Sequence, residues 1–157
     1  MVKGVLYVEI KLAVSNERYE EIKNVLLDRG ITVSDSADLV LYEANRFADN
    51  LVVKGQDDTV RYVLPVSEII IIESFGHTVE VHTKSGSYRS CERLYQLANL
   101  LDPDKFLRIS NSVIIAKGKV KQITPSLSMK FSLTMENGKR VDVTRSYYYI
   151  FKEAFGI

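Results

Sequence analysis

The 157-residue sequence has no tryptophan, only three prolines and a single cysteine. One cysteine cannot close an intramolecular disulfide, which suits a reducing compartment. That residue, Cys91, has no histidine neighbour and stands where a helix is expected to begin, so a small buried side chain is the expectation. Nor is there a glycine-rich phosphate loop. No stretch approaches the roughly 18–20 apolar residues of a membrane span. The opening, MVKGVLYVEIKLAV, is broken by Glu9 and Lys11 and is not a signal-peptide core. A soluble cytoplasmic protein is expected. His77 and His82 lie five apart on an expected strand and so point to opposite faces, with no cysteine or aspartate ligands beside them. No metal or other cofactor is therefore expected. Carboxylates are scattered singly and no nucleophile–base pair is visible, so neither an enzyme nor a small-molecule substrate is expected.

What is present is ordinary globular composition, 46% hydrophobic and 26% charged, enough for one domain with a small appendage. The net charge of +1 says nothing about partners, but its distribution does. Residues 1–54 carry 7 basic and 9 acidic side chains, and residues 55–157 carry 14 and 11. Residues 105–145 alone hold nine lysines and arginines against Glu136 and Asp142. Such a local basic block suits a polyanion; a solvated lysine face is the bland alternative.

Hydrophobic periodicity divides the chain at about residue 54. Residues 4–14 read as a strand. Ser15-Asn16 supplies an N-cap, and Tyr19, Ile22, Val25 and Leu26 fall at helical spacing over residues 16–29 until Gly30 stops the helix. Ile31–Val33 and Leu39–Tyr42 read as further strands. This small β-α-β unit, residues 1–54, has little core of its own, and a dimerising or sensing role is expected for it. Residues 55–157 are strand-rich: Val60–Leu64, Ile69–Ile72, Thr78–Thr83, Phe106–Ile109, Val113–Ala116 and an alternation of Phe131, Leu133 and Met135. The change to many short strands begins at Leu51, with Leu51–Val53 the first of them. Leu94, Leu97, Ala98 and Leu101 mark one helix, ended by Asp102-Pro103. Asn137-Gly138 predicts a two-residue hairpin turn with Val141 and Val143 on the return. Tyr147, Ile150, Phe151 and Ala154 mark a short terminal helix capped by Thr144 or Ser146. The expected class is mostly β, α+β overall.

Binding chemistry gathers at the turns. Arg108 and Asn111 flank a bend between strands; Arg can pair bidentately with guanine, Asn with adenine, and either with phosphate. Arg145 opens the last helix, and His77 sits in the tight turn after Phe75-Gly76. Lys117, Lys119 and Lys121 alternate with Gly118 and Val120, so on a strand all three share one exposed face. Any one of these residues is an ordinary surface charge; their recurrence at several turns of one β domain is what carries weight.

These segments resemble a known family. Phe106-Leu107-Arg108-Ile109-Ser110-Asn111-Ser112-Val113-Ile114-Ile115 resembles a central block of LytTR DNA-binding domains. So, in order and spacing, do Ile69-Ile70-Ile71-Ile72-Glu73-Ser74 with His77 and Val79, Arg93-Leu94-Tyr95-Gln96-Leu97 with Leu100-Leu101, Asn137-Gly138, and Val143-Thr144-Arg145-Ser146-Tyr147. The match covers about residues 57–155. Ala116 departs from a frequent Asn, and Ser110 from a frequent His. The resemblance implies a bacterial transcription regulator with an elongated antiparallel β domain, whose loops enter successive major grooves of double-stranded promoter DNA at spaced repeats. It implies base contacts from His77, Asn111 and Arg145, and a base or phosphate contact from Arg108. Ser110 and Ser146 lie beside these in the implied DNA-binding set, and Lys117, Lys119 and Lys121 neutralise phosphates. Too few residues precede the match for a receiver domain, so the chain resembles the short stand-alone members, often found beside a membrane protein. A homodimer is expected, with the Val5–Ile10 strand or the Tyr19/Ile22/Leu26 face at its interface. A different class of function is a protein-interaction module that docks an acidic or membrane-protein partner through the basic face.

Overall fold

The computed structural model describes residues 7–43 and 47–157. The chain divides into two compact units, Met1–Arg46 and Phe47–Ile157.

In the first unit, β1 (Val8–Ala13) leads into α1 (Asn16–Asp28), β2 (Ile31–Val33) and β3 (Leu39–Tyr42). The sheet order is β2-β1-β3, all parallel. β2 covers the first half of β1, with Val33 opposite Ile10, and β3 takes over on the other side, with Leu39 also opposite Ile10. The two strands thus run on in one direction, which is how a five-residue connection joins parallel strands that would otherwise need a long return. Ser15 holds the N-cap position, but its side chain makes no capping bond; its backbone N–H donates to Glu43 Oε1 at 2.7 Å. Tyr19, Ile22 and Leu26 are half-buried as the periodicity requires, whereas Val25 is exposed. Leu12 is the only buried apolar residue of this unit among those described, so its core is as thin as its length implies.

The second unit begins earlier than residue 55. β4 (Asn50–Lys54) pairs with β5 (Arg61–Pro65) on one side and β8 (Ser87–Ser90) on the other, so the expected boundary at residue 54 is corrected to residue 46. β6 (Ile69–Phe75), β7 (Thr78–Thr83), β9 (Phe106–Arg108) and β10 (Val113–Ala116) complete a seven-stranded antiparallel sheet in the order β5-β4-β8-β7-β6-β10-β9. A second antiparallel sheet holds β11 (Val120–Ser126), β12 (Lys130–Met135) and β13 (Arg140–Val143). α2 (Leu94–Leu100) and α3 (Tyr148–Phe155) pack on these sheets. Among the described residues no helix is long and apolar enough to cross a membrane.

The large sheet is buried on both faces, which its run Ile69-Ile70-Ile71-Ile72 already implies. Ile69 and Ile72 join Leu94, Leu97 and Leu101 of the α2 side in one core. Ile70 and Ile71 join Phe131, Leu133, Met135, Val141, Val143 and Phe151 in the other, against the second sheet and α3. Strict alternation would pair Ile69 with Ile71; the register shift between those two residues is a bulge that exchanges the faces.

Several local expectations change. The Asn137-Gly138 turn is a three-residue loop: Gly138 N–H donates to Met135 O, Met135 N–H donates to Lys139 O, and Gly138 takes φ +82, a type I turn closed by a left-handed residue. Lys117 and Lys119 lie on a 3-10 turn rather than a strand, so they do not share a strand face with Lys121, which is on β11. Cys91 is exposed. Ala98, Ile150 and Ala154 are exposed, and the inward face of α3 is Tyr148, Phe151 and Phe155. The cap position of α3 is Tyr147, and neither Thr144 nor Ser146 makes a side-chain capping bond.

Candidate nucleic-acid interface

Three turns meet at one end of the second unit. The first, Gly76-His77, joins β6 to β7 as a two-residue hairpin with Phe75 opposite Thr78. Only its first central residue needs a positive φ, and Gly76 supplies it at +62. The second runs from Ile109 to Ser112 between β9 and β10. The third is the 3-10 turn Arg145–Tyr147 that leads into α3. Two long-range backbone bonds bring them together: Ser74 N–H to Ser112 O at 2.8 Å and Thr144 N–H to Ile109 O at 3.0 Å.

The middle turn is braced from within. Small polar residues with side chains that bond their own backbone favour such bends. Ser110, only 6% exposed, receives the Ser112 N–H on its Oγ. Arg108 is half-buried, and its guanidinium donates to Ser110 O at 3.1 Å and Asn111 O at 2.6 Å. Arg108 and Ser110 thus shape the turn that presents Asn111. Asn111 is exposed, and its Oδ1 accepts from the Tyr147 hydroxyl at 3.2 Å, tying the second turn to the third. His77, Arg145 and Ser146 are exposed as well.

Ser110, Asn111, Arg145 and Ser146 line one open groove of about 610 Å3, together with Lys130 and Arg140. Glu73 and Asp142 are its acidic members. Lys130 and Arg140 were counted in the basic block but not singled out. The signal was there: Phe131 and Val141 point inward, so by alternation their neighbours point outward. His77 does not line this groove but stands on the adjoining turn. Lys117, Lys119 and Lys121 are not brought to it at all. They follow the far end of β10, whose four residues span about 13 Å. Lys117 N–H donates to Lys105 O, and Lys119 Nζ lies 3.7 Å from Glu136 Oε2. A separate cavity of about 680 Å3 opens at that far end, beside Val66, Phe106 and Lys119, and holds none of the turn residues.

Behind the groove is a buried ionic cluster. Glu73 on β6 and His82 on β7 are 8% and 7% exposed. Lys139, from the β12–β13 loop, donates to Glu73 Oε2 at 2.9 Å and to His82 Nε2 at 3.2 Å. His82 Nδ1 pairs with Ser87 Oγ of β8 at 2.8 Å. Burial first, and the neighbouring Lys139 ammonium second, hold the His82 imidazole below its ordinary pKa, against the opposing pull of Glu73 and Glu80. Both nitrogens of His82 are thus engaged, Nδ1 within the large sheet and Nε2 with the β12–β13 loop of the second. Among the described residues no cluster of His, Cys, Asp or Glu could hold a metal ion.

Residues 60–156 match the family model of the LytTr DNA-binding domain. The chain belongs to the LytTR family. A solved structure, the LytTr DNA-binding domain of a putative methyl-accepting/DNA response regulator from Bacillus cereus, superposes with a TM-score of 0.66 at 26% identity, covering 70% of this chain and 99% of that one. The transcriptional regulatory protein LytR of one Staphylococcus aureus strain is 24% identical over 141 residues, 90% of this chain and 57% of the relative. The sensory transduction protein LytT of Enterococcus faecalis is 23% identical over 105 residues, 67% of this chain and 43% of the relative. This chain therefore spans about half the length of the curated relatives it matches.

Proposed function

We propose that the chain is a sequence-specific, double-stranded DNA-binding transcription regulator whose clustered turns enter the major groove, with His77, Asn111 and Arg145 reaching base edges. The observation that supports this reading is that exposed Asn111 and Arg145 line one groove from segments joined by a backbone bond, with His77 on the adjoining hairpin. Lys130 and Arg140, along the same groove, are placed to neutralise phosphates. Arg108 and Ser110 serve by shaping the turn. Lys117, Lys119 and Lys121 contact a duplex only if it extends toward the far end of the sheet.

Arg145→Ala is the direct test. Arg145 is exposed and lies outside both cores, so the fold persists. Loss of a bidentate base contact costs about 1–3 kcal/mol of specific binding. In titrations of a selected duplex and a random one, the variant should lose affinity mainly for the selected duplex. Equal binding by variant and wild type removes Arg145 from the site. A wild-type chain that neither discriminates between duplexes nor weakens steeply with salt points instead to a protein partner.

The first unit is proposed to pair two copies of the chain. β1 is paired by β2 over Val8–Ile10 on one side and by β3 over Ile10–Ala13 on the other, which leaves it only short open edges. β3 is the better candidate: Leu39 is 59% exposed and Val40 and Leu41 39% each, an apolar strand at the end of the sheet order. Such an edge favours addition of another strand, and a lysine there opposes it. Sedimentation of the full chain at micromolar concentration should report a dimer, and Leu39→Lys should shift it toward monomer. A monomeric wild type abolishes the pairing role.

A further inference from the structure

We infer that Lys139 and a proton compete for one nitrogen, Nε2 of His82, and that this exchange couples acid to duplex binding. In acid the imidazole charges, Lys139 gives up the nitrogen, and DNA is held more tightly; the coupling rests on the DNA-binding reading above. A lysine ammonium has three donors and no acceptor. Its approach to Nε2 at 3.2 Å therefore needs a lone pair there, so the nitrogen carries no proton while Lys139 is bound. The imidazole is then neutral with its hydrogen on Nδ1, which donates to Ser87 Oγ at 2.8 Å. A hydroxyl takes either role, so Ser87 follows what Lys139 dictates. A proton on Nε2 removes the lone pair and sets an imidazolium against the ammonium. The two states exclude each other.

The surroundings receive the charged ring as well as the neutral one. Glu73 faces His82 from β6 and Glu80 lies on β7 itself, each with Oε2 3.6 Å from Nε2. On β8, Arg89 stands opposite Glu80 but is bound to Asp58 at 2.6 Å. On the β12–β13 loop, Glu136 lies against Lys119 at 3.7 Å, and Lys139 is the cation at His82. The Lys139 side chain is 36% exposed and has solvent to turn into. Burial first and the Lys139 charge second keep the ring neutral above 6.5, so the exchange falls on the acid side. The link to the groove is Glu73. It is one of the two acidic residues that line it, and its Oε2 accepts from Lys139 at 2.9 Å. A charged His82 sets a further cation against this carboxylate. The repulsion that Glu73 exerts on a phosphate in the groove falls accordingly.

The experiment uses the full chain labelled with 15N. It has two histidines, so two sets of imidazole signals appear, and His77→Gln identifies which belongs to His82. In wild type at about pH 8, His82 should carry its proton on Nδ1 and none on Nε2. In Lys139→Met it should charge at higher pH than in wild type. A proton on Nε2 in the wild type at that pH, or the same titration in both proteins, overturns the competition whether or not DNA binds. The titration is then repeated with a duplex that the wild-type chain selects from a random pool. The duplex should raise the His82 pKa. By reciprocity its affinity should rise as the pH falls below 6.5, by about two- to fourfold for one charge about 10 Å from a phosphate. In Lys139→Met that gain should set in at higher pH. A His82 titration unmoved by the duplex breaks the coupling while DNA recognition stands, and any pH dependence of binding then belongs to the exposed His77. If the wild type binds no duplex at any pH, the DNA-binding reading and the coupling fall together.

Discussion

Phe151→Ala should destabilise the second unit by about 3–5 kcal/mol, the usual cost of emptying a buried aromatic site. Phe151 is fully buried, with ring centroids 5.1 Å from Phe131 and 4.6 Å from Phe155. It is the only fully buried residue of α3, a helix of eight residues that is too short to persist without its packing. The lost volume cannot be refilled cheaply, because the facing residues Leu133, Met135 and Val143 sit on paired strands whose backbone is fixed. The effect extends to the groove. The turn bearing Arg145 and Tyr147 runs straight into α3, so a loosened helix slackens the contact between Tyr147 and Asn111 as well. Urea unfolding of the full chain, followed by a signal from the second unit, measures the loss. A change below about 1 kcal/mol would mean that the site collapses around the missing ring, and that Phe151 is not what holds α3 in place.

Some strands were legible because their burial has period two, and others because they are apolar runs. Phe131, Leu133 and Met135, and Val141 and Val143, alternate in the sequence and are buried in the fold. The two strands that escaped notice lack that alternation. β8 is Ser-Tyr-Arg-Ser, held between β4 and β7 by its backbone rather than by an apolar face. β11 contains Lys121, Gln122 and Pro125; it ends the sheet order β11-β12-β13, and proline is tolerated on such an edge. The Ile69/Ile71 bulge was invisible for the opposite reason, since four successive isoleucines carry no phase to shift. α3 was placed correctly but rotated: Tyr148 stacks on Phe131 at 5.0 Å and Ile150 faces out, because the short 3-10 turn before the helix resets its phase.

Of the groove's residues, Ser110, Asn111, Arg145 and Ser146 stood out in the sequence and Lys130 and Arg140 did not, and the assembly itself was not visible there. His77, Asn111 and Arg145 stand at turns that glycine, serine and asparagine announce, and the resemblance to LytTR domains singles them out. The arrangement of the segments that carry them rests on two backbone bonds between residues far apart in sequence, Ser74 to Ser112 and Thr144 to Ile109, which no local pattern encodes. For the same reason charge counting merged two groups of cations. Arg140 and Arg145 line the groove, whereas Lys117 and Lys119 follow the other end of β10. The Glu73–His82–Lys139 cluster joins three separate elements and had no signature beyond a glutamate inside an apolar strand.

Lys139→Ala should cost about 2–3 kcal/mol, a figure reduced from the full cost of breaking a buried ion pair because the lysine side chain is 36% exposed. The substitution leaves the Glu73 carboxylate, 10% exposed, without its ammonium and removes the donor to His82 Nε2. Acid separates this loss from a simple loss of packing. In the wild type, folding holds the His82 pKa below 6.5. As the pH falls through 6.5 the unfolded chain takes up that proton first, so the His82 contribution, complete above 6.5, is lost on the acid side. Burial is the main cause and the Lys139 charge the second, while Glu73 and Glu80 pull the other way. Removing the ammonium therefore raises the His82 pKa toward its ordinary value. The variant should be less stable than wild type at pH 8, and the gap should narrow as the pH approaches 5. Unfolding free energies of both proteins across that range decide the matter. A gap independent of pH would show that Lys139 acts only as a cross-link between Glu73 and the β12–β13 loop, and a gap that widens in acid would reverse the assigned role of its charge.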